Sequence, residues 1–185
     1  MHKISTIFER DSSFKIIDKP RDECKWVFNG SGRAIEKLDG TNVRVTVRHG
    51  FIVRLEARQN PPKVQKKRGV VDPWYRDAGG PGDQYLFDAI DNTDVSDWPD
   101  GEWSCEALGP KIQGNPLELE HHRLFGFSVP GMTNNYQYFN ISISYQGFKE
   151  FFEYADSIYS PGHKPEGIVF HGKLGSMAKI KRKDF

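Results

Sequence analysis

Lys37 stands two residues before an Asp39-Gly40 pair, and the stretch Glu36 to Asn42 leads into an alternating run, Val43 to Arg48. Asp-Gly is a hairpin-type turn signal, and residues two apart on a strand share a face. If the strand entering the turn extends through Asp39, Lys37 and Asp39 point the same way. On its own this is a lysine held at a tight turn, which a surface hairpin would supply equally well. Other stretches carry compatible chemistry. Lys63, Lys66, Lys67 and Arg68 have no acid until Asp72 and are followed by Trp74 and Tyr75. A basic loop with aromatics can hold a nucleic-acid backbone and stack a base; it can also be a solvated loop. Glu102, Ser104 and Glu106 alternate onto one strand face, and Lys179 and Lys181 onto another. His121-His122 is no metal pair, since adjacent residues face apart and no third ligand is spaced near them.

Composition bounds what these residues can belong to. The chain has 185 residues, 37% of them hydrophobic and 13% aromatic. That is enough for one globular domain with a substantial core. The net charge of +1 gives no global basic field, so a nucleic-acid partner must be read from local clusters. Two distant cysteines, Cys24 and Cys105, make neither a disulfide framework nor a zinc site. No apolar run spans a membrane and no secretory signal opens the chain. The expected setting is cytoplasmic and the expected state a monomer, with the sequons at Asn29 and Asn140 arising by chance.

The elements that must position the polar residues follow from periodicity. Residues 1–24 read as a lead-in covering the core edge. Lys25 to Phe28 reads as a strand, Asn29 to Gly32 as a turn and Arg33 to Leu38 as a strand. Phe51 to Arg58 alternates, with Phe51, Val53, Leu55 and Ala57 on one face and Ile52, Arg54, Glu56 and Arg58 on the other. Gln59 to Gly82 is irregular and proline-rich. Gln84 to Asn92 is a short amphipathic helix using Leu86, Phe87 and Ile90. Gly101 to Leu108 and Leu124 to Val129 read as strands. Gln146 to Ile158 is the clearest helix, with Phe148, Phe151, Phe152, Ala155 and Ile158 at helical spacing. Glu166 to His171 and Met177 to Lys181 read as strands. The pattern predicts an α+β fold with mainly antiparallel sheets and inserted helices. No Gly-rich Walker loop exists, so nucleotide chemistry of the P-loop type is excluded.

Taken in order, Glu36 to Asn42, Ala57-Arg58, Cys105 to Asn115, Leu124 to Phe127, Pro165 to Phe170 and Ala178 to Lys181 resemble the motifs of the covalent nucleotidyltransferases. That superfamily holds ATP-dependent DNA ligases, RNA ligases and mRNA capping enzymes. Gly40-Thr41-Asn42 and the run Glu106 to Asn115 are most similar to the RNA ligases of the RNA ligase 2 type. The resemblance runs from about Trp26 to the C-terminus. It implies a nucleotidyltransferase (ATP-grasp-like ligase) fold, expected as one domain over 1–185; the OB-fold or helical domain that relatives append has no counterpart expected here. It implies ATP as substrate, magnesium or manganese as cofactor, and RNA with 5′-phosphate and 3′-hydroxyl ends as partner.

The same resemblance assigns roles. Lys37 would take AMP as a phosphoramidate, and Glu36 would sit by the adenine edge. Arg58 would contact phosphate, Glu106 the ribose hydroxyls, and Phe127 would stack on adenine. Glu166 would support the metal and the lysine, and Lys179 and Lys181 would hold the α-phosphate. Asn42 would help in sealing. The resemblance leaves the Lys63, Lys66, Lys67, Arg68 loop unassigned; its charge makes it, with Trp74 or Tyr75, the expected track for the RNA backbone. Free lysine titrates near ~10.4, and neighbouring cations would favour the neutral, nucleophilic form while stabilising charge on phosphate. Ser128 departs from the acid that many relatives carry after the phenylalanine. A DNA ligase, a capping-type guanylyltransferase and a non-catalytic nucleic-acid-binding module of the same fold are the alternatives.

Overall fold

A computed structural model describes residues 4–132 and 136–185. In chain order its strands and helices are β1 (Ser5–Thr6), β2 (Phe8–Arg10), β3 (Ile16–Pro20), α1 (Lys25–Phe28), β4 (Arg33–Lys37), β5 (Thr41–Arg48), β6 (Phe51–Gln59), α2 (Lys63–Lys67), β7 (Trp74–Asp77), α3 (Gln84–Asp91), β8 (Gly101–Leu108), β9 (Arg123–Phe125), α4 (Tyr145–Tyr154), β10 (Gly167–His171) and β11 (Met177–Lys181). The architecture is mixed, with mostly antiparallel sheets, as the periodicity predicts. The contacts divide the chain into two compact units, and the chain passes from one to the other between Leu38 and Asp39.

The unit formed by Ile4–Leu38 and Tyr136–Phe185 holds a four-stranded sheet in the order β1-β11-β10-β4 and the small β2-β3 pair. Only β1 runs parallel to its neighbour. Ile168, Phe170, Ala178 and Ile180 point to one face and are fully buried with Phe148 and Phe152 of α4. Phe8 meets Phe28, Tyr145 and Phe148 edge-on at 5.5 to 6.1 Å, an arrangement favoured by the ring quadrupoles. The described part of the N-terminal lead-in is therefore core and sheet, not a cover: Ile7 and Phe8 have no exposed surface.

Two elements here differ from the periodic reading. Lys25–Phe28 is a helical turn with only Val27 buried. A short apolar run cannot be assigned by period alone. The helix predicted to Ile158 ends at Tyr154, since Ala155 is extended at ψ 143°. Ser144 caps its start through Gly147 N–H at 3.0 Å.

The unit over 39–132 holds a five-stranded antiparallel sheet, β7-β6-β5-β8-β9. Val43, Val45 and Val47 are fully buried with Cys105, Ala107, Leu124 and the Leu86–Ala89 side of α3. β6 departs from plain alternation. The register passes from Thr46↔Arg54 to Val47↔Ile52, so Val53 is the extra residue of a β-bulge. Beyond it the parity reverses: Phe51 and Val53 are 72% and 60% exposed, and Ile52 packs on the core instead. Phe87, expected on the buried face of α3, is exposed, and Ala89 takes that place.

The irregular stretch 59–82 contains α2, which buries nothing, and β7, paired to β6. The strand expected over Leu124 to Val129 is shorter, ending at Phe125. No described helix is long and apolar enough to cross a membrane.

Asp39-Gly40 is not a hairpin turn. β4 pairs with β10, and β5 pairs with β6 and β8, so the two strands flanking the turn belong to different sheets. β4 ends at Lys37, so it does not carry Asp39 onto the lysine's face. Glycine is required at 40 for close approach: a Cβ there would lie 2.2 Å from the Ala107 carbonyl oxygen.

Candidate active site

Lys37 is the last residue of β4. Its register partner on β10 is Gly167, whose partner on β11 is Lys181. Cross-strand partners share a face, so Lys37 and Lys181 rise from the same side of the sheet with one strand between them. Neighbouring strands lie about 4.8 Å apart, which separates the two backbones by about twice that. The intervening residue has no side chain, and the gap is filled by the carboxylate of Glu166, one residue before β10. Lys37 Nζ lies 2.5 Å from Glu166 Oε2, and Lys181 Nζ lies 2.5 Å from Oε1. All three side chains are about one-fifth exposed. A charge-assisted pair so screened from water is stronger than a surface pair.

Burial pushes the Glu166 carboxyl up, but the two ammonium groups outweigh it and hold the carboxyl below its ordinary range. Lys179 lies on the same face of β11, one row along, opposite Val169. Lys37, Glu166 and Lys181 thus form one cluster, with Lys179 beside it. The cluster carries two ammonium groups against one carboxylate.

Glu36 is elsewhere. It precedes Lys37 on the strand and points to the opposite face, where it is 4% exposed. Its Oε2 accepts the Ile158 N–H at 2.7 Å. Burial raises its pKa, and hydrogen bonds from Ser157, Ile158 and Tyr159 counter that rise. The structure does not bring this carboxylate to the Lys37 side, because successive residues of a strand face apart.

In the other unit, Asn42 of β5 and Glu106 of β8 are register partners. Glu106 Oε1 accepts the Gly40 N–H at 3.2 Å, and Oε2 lies 3.5 Å from Asn42 Nδ2. Asn42 Oδ1 accepts from the Tyr75 hydroxyl at 2.9 Å. Tyr75, offered by the sequence as a base-stacking ring, is thus tied into the sheet, and the Arg44 guanidinium covers its ring at 4.7 Å. Trp74 is 44% exposed. Phe125 is the register partner of Glu106; Phe127 follows in a turn, its N–H bonded to the Phe125 carbonyl at 3.0 Å. Ser128, where an acid was expected by resemblance, accepts the Ser104 N–H at 2.6 Å and donates to the Ser104 carbonyl. It extends the sheet edge through its hydroxyl.

The same polar sheet face holds a continuous ion ladder. Arg44 grips Glu56 with two bonds of 2.6 and 2.8 Å and reaches Glu102 at 3.2 Å. Arg54 joins Glu56 at 3.2 Å to Asp77 at 2.7 Å. Glu56 is 2% exposed and fully partnered, so it holds strands together rather than looking into open space.

Arg58 differs: its Nε is buried without a hydrogen-bond partner. It lines a cavity of about 280 Å³ with Thr41, Gln59, Arg76, Tyr85 and Lys111. Lys63, Lys66 and Lys67 lie on exposed α2 and Arg68 just after it, with Val64, Val70 and Val71 also exposed.

No group of three potential metal ligands occurs among the described residues. His122 instead stacks on Tyr85 at 5.2 Å and faces Asp88 at 3.6 Å. Sequence reading placed Gly167 in the Pro165 to Phe170 motif without a role of its own; the register sets it between Lys37 and Lys181. It missed Asp184, which is 4% exposed and bonded to Arg10 and which only the tertiary contact reveals.

No family model and no curated protein sequence matches the chain. Among solved structures it is similar to Naegleria gruberi RNA ligase. A lysine-to-alanine variant without ligand aligns over 99% of this chain and 62% of that one, at 15% identity and a TM-score of 0.45. A glutamate-to-alanine variant with ATP and manganese aligns over 96% of this chain and 59% of that one, at 14% identity and a TM-score of 0.47. The chain therefore spans about three fifths of the length of the structures it matches.

Proposed function

We propose that this protein is an ATP-dependent RNA ligase that works through AMP carried on Lys37. The observation that carries this reading is the Lys37–Glu166–Lys181 cluster assembled over Gly167, at positions that match the family's lysine, carboxylate and final lysine motifs. In the first step Lys37, an ammonium in the resting cluster, loses one proton to solvent and its neutral amine attacks the α-phosphorus of ATP. An N–P bond forms, the bond to the pyrophosphate oxygen breaks, and the amine gives up a proton. Glu166 holds Lys37 in place and is the nearest acceptor for that proton. Lys181 and Lys179 supply positive charge where phosphate oxygens gather charge in the transition state. In the second step a 5′-phosphate oxygen of RNA takes the AMP and the N–P bond breaks. A 3′-hydroxyl then displaces AMP.

Each oxygen of Glu166 has lone pairs beyond the one its lysine uses. It can thus serve as the single protein carboxylate for a magnesium or manganese ion held otherwise by phosphate and water. That ion, when bound, would neutralise phosphate charge. By resemblance Glu106 takes the ribose hydroxyls, Phe127 stacks on adenine, Asn42 serves sealing, and Arg58, with its orphaned Nε, takes phosphate.

The test is direct. The protein is incubated with magnesium and ATP, GTP or NAD, and intact mass is measured. ATP should add one AMP to the wild type and none to Lys37→Ala. A GTP-specific adduct would favour the capping-type alternative. An adduct retained by the variant would move the chemistry off Lys37.

A further inference from the structure

We infer that Arg10 and Asp184, which match none of the family motifs, are positioning residues for Lys181 and thereby set the rate of adenylylation; this rests on the function proposed above. Lys181 is the last residue of β11: it pairs with Gly167, and the ladder does not continue past it. Past that pair the backbone is held by the turn that follows, Arg182–Asp184. Asp184 Oδ2 accepts the Lys181 N–H at 2.9 Å, and the Arg182 N–H donates to the Glu166 carbonyl at 3.0 Å. Both residues whose side chains form the ammonium–carboxylate pair are therefore held by their own backbones within this turn.

The turn is itself clamped. Asp184 Oδ1 accepts from Arg10 Nη2 at 2.7 Å. Arg10 is oriented by the Phe14 carbonyl through Nη1 at 2.5 Å. The loop between β2 and β3 that carries Phe14 is closed by the Asp11 carboxylate, which accepts from the Ser13 and Lys15 N–H groups at 2.9 Å each. Lys15 then reaches the Phe185 carbonyl at 2.6 Å and the Lys183 carbonyl at 3.3 Å. An N-terminal loop and a C-terminal turn, 174 residues apart at the Arg10–Asp184 bond, thus grip the backbone of Lys181 from outside the cluster.

The buried carboxylate has few substitutes. Asp184 is 4% exposed, so removing it leaves the Lys181 N–H without its acceptor and Arg10 Nη2 with only Thr6 Oγ1 at 3.4 Å. Neither Asp184 nor Arg10 is within the Lys37–Glu166–Lys181 set, so any effect on rate must travel through the backbones the turn holds, that of Lys181 directly and that of Glu166 through Arg182. A displacement of about 1 Å in a group that stabilises charge can cost on the order of a hundredfold in rate.

The experiment is single-turnover self-adenylylation across ATP concentrations, with thermal melting of every variant. Asp184→Ala should slow AMP transfer about ten- to a hundredfold, with a smaller change in the ATP concentration at half rate. Asp184→Asn, which keeps an acceptor for the Lys181 N–H, should recover part of that loss. The exchanged pair Arg10→Asp with Asp184→Arg restores an ion pair but no acceptor at Lys181, and should stay slow. Most decisive, Asp184→Ala should add almost nothing to the loss already caused by Lys181→Ala, since residues acting as a unit are non-additive. Full additivity, rescue by the exchanged pair, or a wild-type rate in a folded Asp184→Ala would each overturn the inference while leaving the ligase reading intact. A wild type that takes no AMP at all would overturn both. If Asp184→Ala does not fold, Asp184→Asn in the Lys181→Ala background decides the same question.

Discussion

Replacing Gly167 by alanine puts one methyl group against the backbone of β11 at Ile180 and Lys181. The ideal Cβ would stand 2.5 Å from the Ile180 carbonyl oxygen and 3.1 Å from Lys181 Cα. Both are backbone atoms, so no side-chain rotation relieves the contact. Restoring an ordinary carbon–oxygen separation needs a shift of roughly 0.7 Å or more between β10 and β11. Overpacking of this kind costs about 1–3 kcal/mol. For a chain of this size that lowers the melting temperature by about 2–4 °C per kcal/mol. The effect on chemistry should be larger, because the shift falls at the residue between Lys37 and Lys181. A misplacement approaching 1 Å costs on the order of a hundredfold in rate. The assay is single-turnover transfer of labelled AMP from ATP to the protein, with melting measured beside it. The expected result is a folded variant, a few degrees less stable, whose adenylylation is about a hundredfold slower. A variant that melts as expected yet adenylylates at the wild-type rate would show that the spacing of the two lysines over Gly167 does not govern the reaction.

Lys179→Ala and Lys181→Ala should each slow adenylylation about ten- to a hundredfold or more, the cost of a charge-assisted phosphate contact of about 1.5–3 kcal/mol. Lys183→Ala, outside the paired strand, should do little; single-turnover rates check all three. Replacing Lys63, Lys66, Lys67 and Arg68 together by serine should leave AMP transfer to Lys37 standing, weaken joining of RNA, and flatten the salt dependence of RNA binding. An unchanged salt slope would reduce α2 to a solvated surface. The Asp83 carboxyl is held down to about 2 by Arg76 first and then by the Gly79 and Gly80 N–H groups, against an ordinary value of 3.8. A depressed carboxyl stabilises the fold above the ordinary value and loses that contribution as pH falls through the depressed one. Asp83→Asn should therefore flatten the pH dependence of stability between about pH 4 and pH 2, read from urea midpoints.

Periodicity made the sheets legible where both faces differ in polarity. Met177 to Lys181 alternates without interruption, and it places Lys179 and Lys181 opposite Ala178 and Ile180 as expected. Phe51 to Arg58 alternates just as well in sequence, yet a bulge at Val53 reverses half of it. Nothing in the residues marks the bulge, because it arises from pairing with β5. Lys25–Phe28 failed for want of length: four residues with one buried side chain fit a strand or a helical turn equally. Asp39-Gly40 has the local chemistry of a hairpin turn, but partner choice between strands is a tertiary matter. The motif resemblance located Lys37, Glu166 and Lys181, which the register then brings together. It says nothing of side-chain direction: Glu36 and Lys37 are neighbours in sequence and opposite in direction because successive strand residues face apart.

The two cysteines fall one to each compact unit, Cys24 in the four-stranded sheet's core and Cys105 in the five-stranded sheet's. Both are at most 1% exposed, and burial pushes both thiols up, away from the reactive thiolate. Neither can meet a thiol reagent until the strands around it part. The chain thus carries two built-in clocks of local opening, one per sheet, with no engineered probe. Single Cys→Ala variants would let alkylation rates in native buffer assign an opening free energy to each sheet separately. The same measurement with and without ATP would tell which sheet the nucleotide tightens.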